Sequence, residues 1–247
     1  MSHIHINLEH VNYSYDASHP VLKDITFTAH EHEAVGLIGA NGVGKSTLLK
    51  LLVGLNLNYE GSIRVEDIPV EKNTLPVIRE KIGYVFQDSD SQLFLSTVKD
   101  DVAFAPRNYG LSEDEVSKRV NHALESIHIE HLKNRQIYKL SGGEKKMVSI
   151  ATILSMTPDI ILMDEPSIAL DPGNRRRLIH ILNEFDHLKI IASHDLDMIL
   201  DTCNRVILMS KGQIIRDGKV REILSDKDLL EKHGLELPFC MQGSPYS

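Results

Sequence analysis

The chain reads as an α/β protein: a parallel sheet covered by helices, an antiparallel β-layer at the N-terminal end, and a helical segment inserted in the middle. Three observations predict this. Short apolar runs without alternation, Ala34 to Ile38, Tyr84 to Phe86, Ile160 to Met163, Ile190 to Ala192 and Val206 to Met209, have the composition of strands buried on both faces. Helix-periodic stretches lie between them, such as Leu178, Ile181, Leu182 and Phe185 after the Pro172-Gly173 break. Ahead of them Ile4, Ile6 and Leu8, then Ile25, Phe27 and Ala29, alternate as half-buried antiparallel strands do.

Taken in order, residues 4–36 form the β-layer and lead into the first buried strand, with an apolar helix expected over Thr47 to Leu55. Residues 90–155 read as the helical insertion. Within them Ser112 and Glu115 have capping-box spacing, and Val116, Val120, Ala123, Leu124 and Ile127 share one face through residue 131. A second apolar helix follows at Val148 to Leu154. The expected organisation is a single domain over 1–247. Its β-layer and core comprise 1–89 and 156–225, its helical subdomain 90–155, and its C-terminal extension 226–247, where Pro238 to Ser247 is rich in turn formers.

Composition excludes several classes. With 42% hydrophobic and 25% charged residues, the 247-residue chain can bury a sizeable core and is not disordered. A net charge of −8 argues against a broad basic surface for nucleic acid. No apolar run approaches the roughly 18 to 20 residues of a membrane span, and Met-Ser-His-Ile-His-Ile has neither a basic n-region nor an apolar h-region, so a cytosolic product is expected. Cys203 and Cys240 form neither a disulfide framework nor a zinc spacing, and Cys203 is expected in the core. His3 with His5, and His30 with His32, are expected to share a strand face. Without further convergent ligands they read as solvated strand histidines rather than a metal site.

The chemistry is carried first by Gly39-Ala40-Asn41-Gly42-Val43-Gly44-Lys45-Ser46-Thr47, a Walker A pattern between a strand and a helix. Its glycines let consecutive N–H groups and the helix N-terminus face a polyphosphate. Lys45 is placed to reach the β and γ phosphates, and Ser46 to ligate Mg²⁺. This marks a P-loop NTPase with a RecA-like parallel core. The buried run from Ile160 ends in Asp164-Glu165, and ligands of open parallel sheets bind beyond the carboxyl ends of strands. Asp164 is therefore expected in the Mg²⁺ shell, and Glu165 is expected to orient or deprotonate the attacking water.

Further segments narrow the class: Leu140-Ser141-Gly142-Gly143-Glu144, Phe86-Gln87, Leu170-Asp171-Pro172, Ser193-His194-Asp195 and Tyr15. In their order these resemble the signature, Q-loop, D-loop, H-loop and A-loop of ABC-type ATPases. The resemblance implies that two copies sandwich ATP head to tail, with Ser141, Gly142 and Gly143 contacting the γ-phosphate held by the other subunit's Walker A loop. It gives His194 a γ-phosphate contact, makes Gln87 a sensor of Mg²⁺ and water, and puts Asp171 across the dimer interface. Tyr15 either stacks on adenine, as the resemblance implies, or packs in the β-layer beside Tyr13.

The stretch Phe86 to Phe94 with Thr97-Val98, Asp101 to Phe104 and Pro106, and the run Leu229 to Pro238, are similar to energy-coupling-factor ATPases, closest to the cobalt and nickel importer branch. That resemblance implies an ATP- and Mg²⁺-dependent subunit, peripheral on the cytoplasmic face of the cell membrane and dimerising with itself or a close paralogue. It implies docking of an integral-membrane component in the Q-loop groove and no nucleic-acid partner. A vitamin importer ATPase for biotin, riboflavin or folate is the alternative, with a soluble ABC ATPase acting on nucleic acid further off. The chain departs from the family pattern at Glu144 for the commoner Gln, Met147 for Arg, Ser167-Ile168-Ala169 for Thr-Ala-Gly, and Ser89 for Pro.

Overall fold

The computed structural model describes residues 4–16 and 18–242. In chain order its elements are β1 (Ile4–Ser14), β2 (Pro20–His30), β3 (Ala34–Ile38), α1 (Lys45–Leu52), β4 (Tyr59–Val65), β5 (Ile68–Pro69), α2 (Leu75–Lys81), β6 (Ile82–Val85), α3 (Val98–Asn108) and α4 (Glu113–Ser126). These are followed by α5 (Gly142–Leu154), β7 (Ile160–Asp164), α6 (Pro172–Glu184), β8 (Leu188–Ala192), α7 (Leu196–Thr202), β9 (Arg205–Ser210), β10 (Gln213–Lys219), α8 (Val220–Leu224) and α9 (Lys227–Lys232). They form two compact units, one of residues 1–79 with 186–247 and one of residues 80–185.

In the first unit β1 and β2 pair antiparallel with Leu8 opposite Phe27, and β4 and β5 extend the layer. The alternating residues Ile6, Leu8, Ile25, Phe27 and Ala29 are all buried, each large one contributing roughly 1.5 to 3 kcal/mol by leaving water. Beside this layer β3 pairs parallel with both β8 and β9, and β10 closes antiparallel on β9. Strands β3 and β8 are buried along their whole length, which explains the apolar composition of β3 and of Ile190 to Ala192, although β8 also buries Lys189. A Cβ on Gly36 would lie 2.6 Å from Ile199 Cγ2, so α7 seats directly on β3. Arg205 joins the two sheets, bonding the Thr28 carbonyl and Glu33 on one side and gripping Asp217 with two nitrogens on the other.

The second unit holds β6 and β7, paired parallel with Tyr84 opposite Leu162, together with α3 to α6. The segment 90–155 lies wholly within it. Helix α4 buries Val116, Val120, Ala123 and Leu124, the face read from the sequence. Its predicted capping box forms only in part. Ser112 accepts the Glu115 N–H, whereas the Glu115 carboxylate turns to Arg119 one helical turn on.

Other expectations are corrected. Helix α1 begins at Lys45 and ends at Leu52, so it is displaced toward the glycine loop relative to the apolar run. His32 lies beyond the end of β2 with φ of 64°, and so does not share a strand face with His30. His5 is buried with Nδ1 3.0 Å from Glu66 rather than solvated, while its expected partner His3 lies outside the described residues. Of the turn-rich C-terminal stretch, residues 243–247 also lie outside them. Among the described residues no helix is long and apolar enough to cross a membrane, and no group of three or more His, Cys, Asp or Glu is arranged to hold a metal ion.

Candidate functional site

In the first unit the chain leaves β3 at Ile38 and curls through the glycine loop into α1. Gly39 (φ 148°) approaches strand β9 so closely that a Cβ would meet the Met209 carbonyl oxygen at 2.3 Å. Gly44 (φ 108°) leaves no more room, with Leu22 Cδ2 at 2.6 Å from a Cβ. At Gly42 the opposite holds, since nothing lies within 4 Å of a Cβ there and the loop is open on that side. Lys45, the first residue of α1, is buried to 6% exposure, and its ammonium donates to the carbonyls of Gly39 (2.7 Å) and Ala40 (3.4 Å). The lysine thus folds back across its own loop, holding a positive charge at the helix N-terminus. Asn41 is exposed, Ser46 half-buried and Thr47 buried.

Two more predicted residues share this unit. Strand β8 runs in register with β3, Ala192 opposite Leu37, and Ser193 N–H donates to the Leu37 carbonyl at 3.2 Å. His194 therefore emerges, exposed, at the sheet edge from which the glycine loop starts. Tyr15 lies just past β1, 59% exposed, with its hydroxyl 3.2 Å from Thr47 Oγ1 and its ring edge-on to the buried Tyr13. Its exposure leaves a ring face available for stacking.

The second unit carries the other set. Val85 pairs with Met163, so Phe86-Gln87 and Asp164-Glu165 leave their strands side by side. Asp164 (3% exposed) and Glu165 (6%) are both buried, and Tyr84 donates its hydroxyl to Asp164 Oδ2 at 3.3 Å. Glu165 has φ of 46°, a left-handed conformation uncommon for a residue with a side chain and typical of functional turns. Gln87 is exposed. Ser141 caps α5, and Gly142 and Gly143 make its first turn, ahead of the apolar stretch Val148 to Leu154. A Cβ on Gly143 would lie 3.3 Å from the Ala169 carbonyl, which sets the signature beside the segment leading to Asp171. Asp171 caps α6 by accepting the N–H groups of Gly173 (2.8 Å) and Asn174 (3.0 Å), bonds that hold its carboxyl below the usual range.

The structure gives Glu144 and Lys146 roles that the sequence reading does not assign. Glu144 completes a capping box with Ser141, its Oε2 accepting Ser141 N–H at 2.8 Å and the hydroxyl at 2.9 Å. The Ser-x-x-Glu spacing at 141 and 144 was the available signal. Lys146 is buried to 2% exposure, which its place in the apolar stripe with Ile150 and Ile153 indicates. Of the two adjacent apolar residues Leu93 and Phe94, Leu93 is buried, while Phe94 is 63% exposed and meets Phe104 edge-on at 4.7 Å.

A glycine-curled loop joining a buried strand to a lysine-headed helix defines a P-loop nucleoside triphosphatase, and the fold matches those of ABC ATPases. Residues 22–168 match the ABC transporter family, and the chain belongs to it, as an ATP-binding, ATP-hydrolysing transporter subunit. A relative from Geobacter sulfurreducens, named a candidate ABC transporter ATP-binding protein, is 47% identical over 245 residues, covering 99% of this chain and 98% of the relative. The energy-coupling factor transporter ATP-binding protein EcfA of Methanothermobacter thermautotrophicus is 42% identical, covering 94% of this chain and 76% of its own length. Among solved structures, cbiO1 from Clostridium perfringens, part of the ABC transporter complex cbiONQ, superimposes with a TM-score of 0.82 at 37% identity over 98% of both chains.

Proposed function

We propose that this chain is the energy-coupling ATPase of a membrane importer, seated on the cytoplasmic face of the membrane, and that its cargo is cobalt or nickel ion. The glycine loop, including Asn41 and Thr47, and Lys45 bind the ATP phosphates, and Tyr15 stacks on adenine. Ser46, Asp164 and Gln87 supply hard oxygen donors of the kind Mg²⁺ takes. When bound, that ion neutralises phosphate charge. Glu165 orients or deprotonates the attacking water, and His194 contacts the γ-phosphate. Ser141, Gly142 and Gly143 meet the nucleotide of a second ATPase subunit, a copy of this chain or a close paralogue, with Asp171 at that interface.

The observation that carries the importer reading is the exposed Phe94 and Phe104 pair in the segment that follows Gln87, with Asp90 and Asp100 nearby in sequence. An exposed aromatic pair flanked by acids suits an amphipathic partner helix with a basic end. The cargo rests on the resemblance of Asp90 to Pro106 and Leu229 to Pro238 to the metal branch. Deleting the gene should lower uptake of labelled Co²⁺ or Ni²⁺ at trace concentration. Unchanged metal uptake with reduced biotin, riboflavin or folate uptake would move the cargo to the vitamins.

A further inference from the structure

A buried lysine needs a reason, because removing an ammonium from water costs several kcal/mol unless partners compensate. Lys146 lies on the inward face of α5, at a position that a methionine or leucine would fill without that cost. Its Nζ instead donates to two consecutive backbone carbonyls, Phe86 (2.9 Å) and Gln87 (2.6 Å). Asp164 and Asp88 act on its charge, and burial pulls its pKa below the ordinary lysine value against their influence. The two bonds fix the backbone at Phe86 and Gln87 to the side chain of an α5 residue.

Two further fastenings tie the same segment to the same helix. Gln92 accepts the Phe86 N–H at 3.1 Å and donates through Nε2 to the Ser149 carbonyl (2.7 Å) and Thr152 Oγ1 (2.8 Å) of α5. Lys145 pairs with Asp90 at 2.6 Å. Residues 86–92 are thus gripped by side chains spread along α5, whose first turn is Ser141-Gly142-Gly143.

We propose that Lys146 is a positioning residue for Gln87: with Gln92 it fastens the Gln87 segment to α5, so that Gln87 and the Ser141–Gly143 turn move as one body during turnover. This rests on the reading of Gln87 and Ser141 as groups that act on ATP. It assigns Lys146 no contact with nucleotide. Its effect on the reaction passes through where Gln87 stands.

The test is a double-mutant cycle on the purified full-length chain. Lys146→Met keeps length and apolar bulk while removing the donors. Its kcat should fall by about tenfold or more, the scale of a small misplacement at a reacting group, while ATP affinity by equilibrium dialysis stays at the wild-type value. Lys146→Arg, which keeps a charged donor, should recover part of the loss. Gln87→Ala should also lower kcat, and the Lys146→Met, Gln87→Ala double variant should be no slower than Gln87→Ala alone, because both remove one function. A fully multiplicative loss in the double variant, or wild-type kcat in Lys146→Met, overturns the proposal. Wild-type kcat in Gln87→Ala overturns the underlying reading of Gln87 instead. Should Lys146→Met not fold, Gln92→Met replaces it in the same cycle with the same expectations.

Discussion

Glu144 offers a measurable link between a sequence departure and a folded feature. Its carboxylate accepts the backbone N–H of Ser141 at 2.8 Å and the Ser141 hydroxyl at 2.9 Å, and Ser141 Oγ accepts the Glu144 N–H at 3.3 Å. Glu144→Ala removes the reciprocal half of this box and leaves the serine cap, so a loss of about 1 kcal/mol is expected, the usual net worth of an intramolecular hydrogen bond. For a chain of this length that corresponds to a fall in Tm of roughly 2 to 4 °C. The Ser141 bonds hold the Glu144 carboxyl below its ordinary value of 4.5. A carboxyl depressed in the folded state stabilises fully above that ordinary value and loses its contribution as pH falls through the folded value. The gap between wild type and Glu144→Ala should therefore be complete at neutral pH and contract below pH 4.5. Urea unfolding followed by circular dichroism measures it. Equal midpoints at neutral pH, or a gap that widens on acidification, would refute the capping account.

Glu165→Gln should bind ATP while releasing phosphate about 10² to 10⁴ times more slowly, the scale of a lost general base; equal turnover would remove Glu165 from that role. Phe94→Asp should prevent co-purification with the membrane component, and normal co-purification would place the docking surface elsewhere. Burial pushes the Cys203 thiol up to about 12, so at pH 8 it should resist alkylation until the chain unfolds. Exposed Cys240 should react in the native protein, though more slowly than a free thiol, because contact with Asp197 raises its pKa and lowers the thiolate fraction. Fast labelling of Cys203 in native protein would contradict its burial.

What the sequence makes legible follows from how far apart the interacting residues lie. Ile160 to Met163 and Ile190 to Ala192 announce buried parallel strands because both faces of each are covered, and covering both faces demands an unbroken apolar run. The glycine loop is legible because Gly39 and Gly44 occupy positions where no side chain fits. The role of Lys146 is not legible in the sequence because a charge on a helix normally reads as solvated, and its partners lie about 60 residues earlier in the chain. Leu93 and Phe94 cannot be sorted by composition alone: two adjacent apolar residues face opposite ways, and only the packing of the second unit decides which one is buried. At Ser112 and Ser141 the same spacing gives different outcomes, because Arg119 draws the Glu115 carboxylate away while Glu144 turns back to its cap.

The central claim is that ATP is hydrolysed between two subunits, with the Lys45 loop of one facing the Ser141 turn of the other. Mixing a Lys45→Ala chain with a Ser141→Arg chain tests it most directly, since each variant alone should be inactive and each mixed dimer should hold one intact site. Phosphate release from the mixture, absent from either variant alone, is the predicted result. No recovery, with mixed dimers demonstrated by cross-linking, would contradict the head-to-tail site.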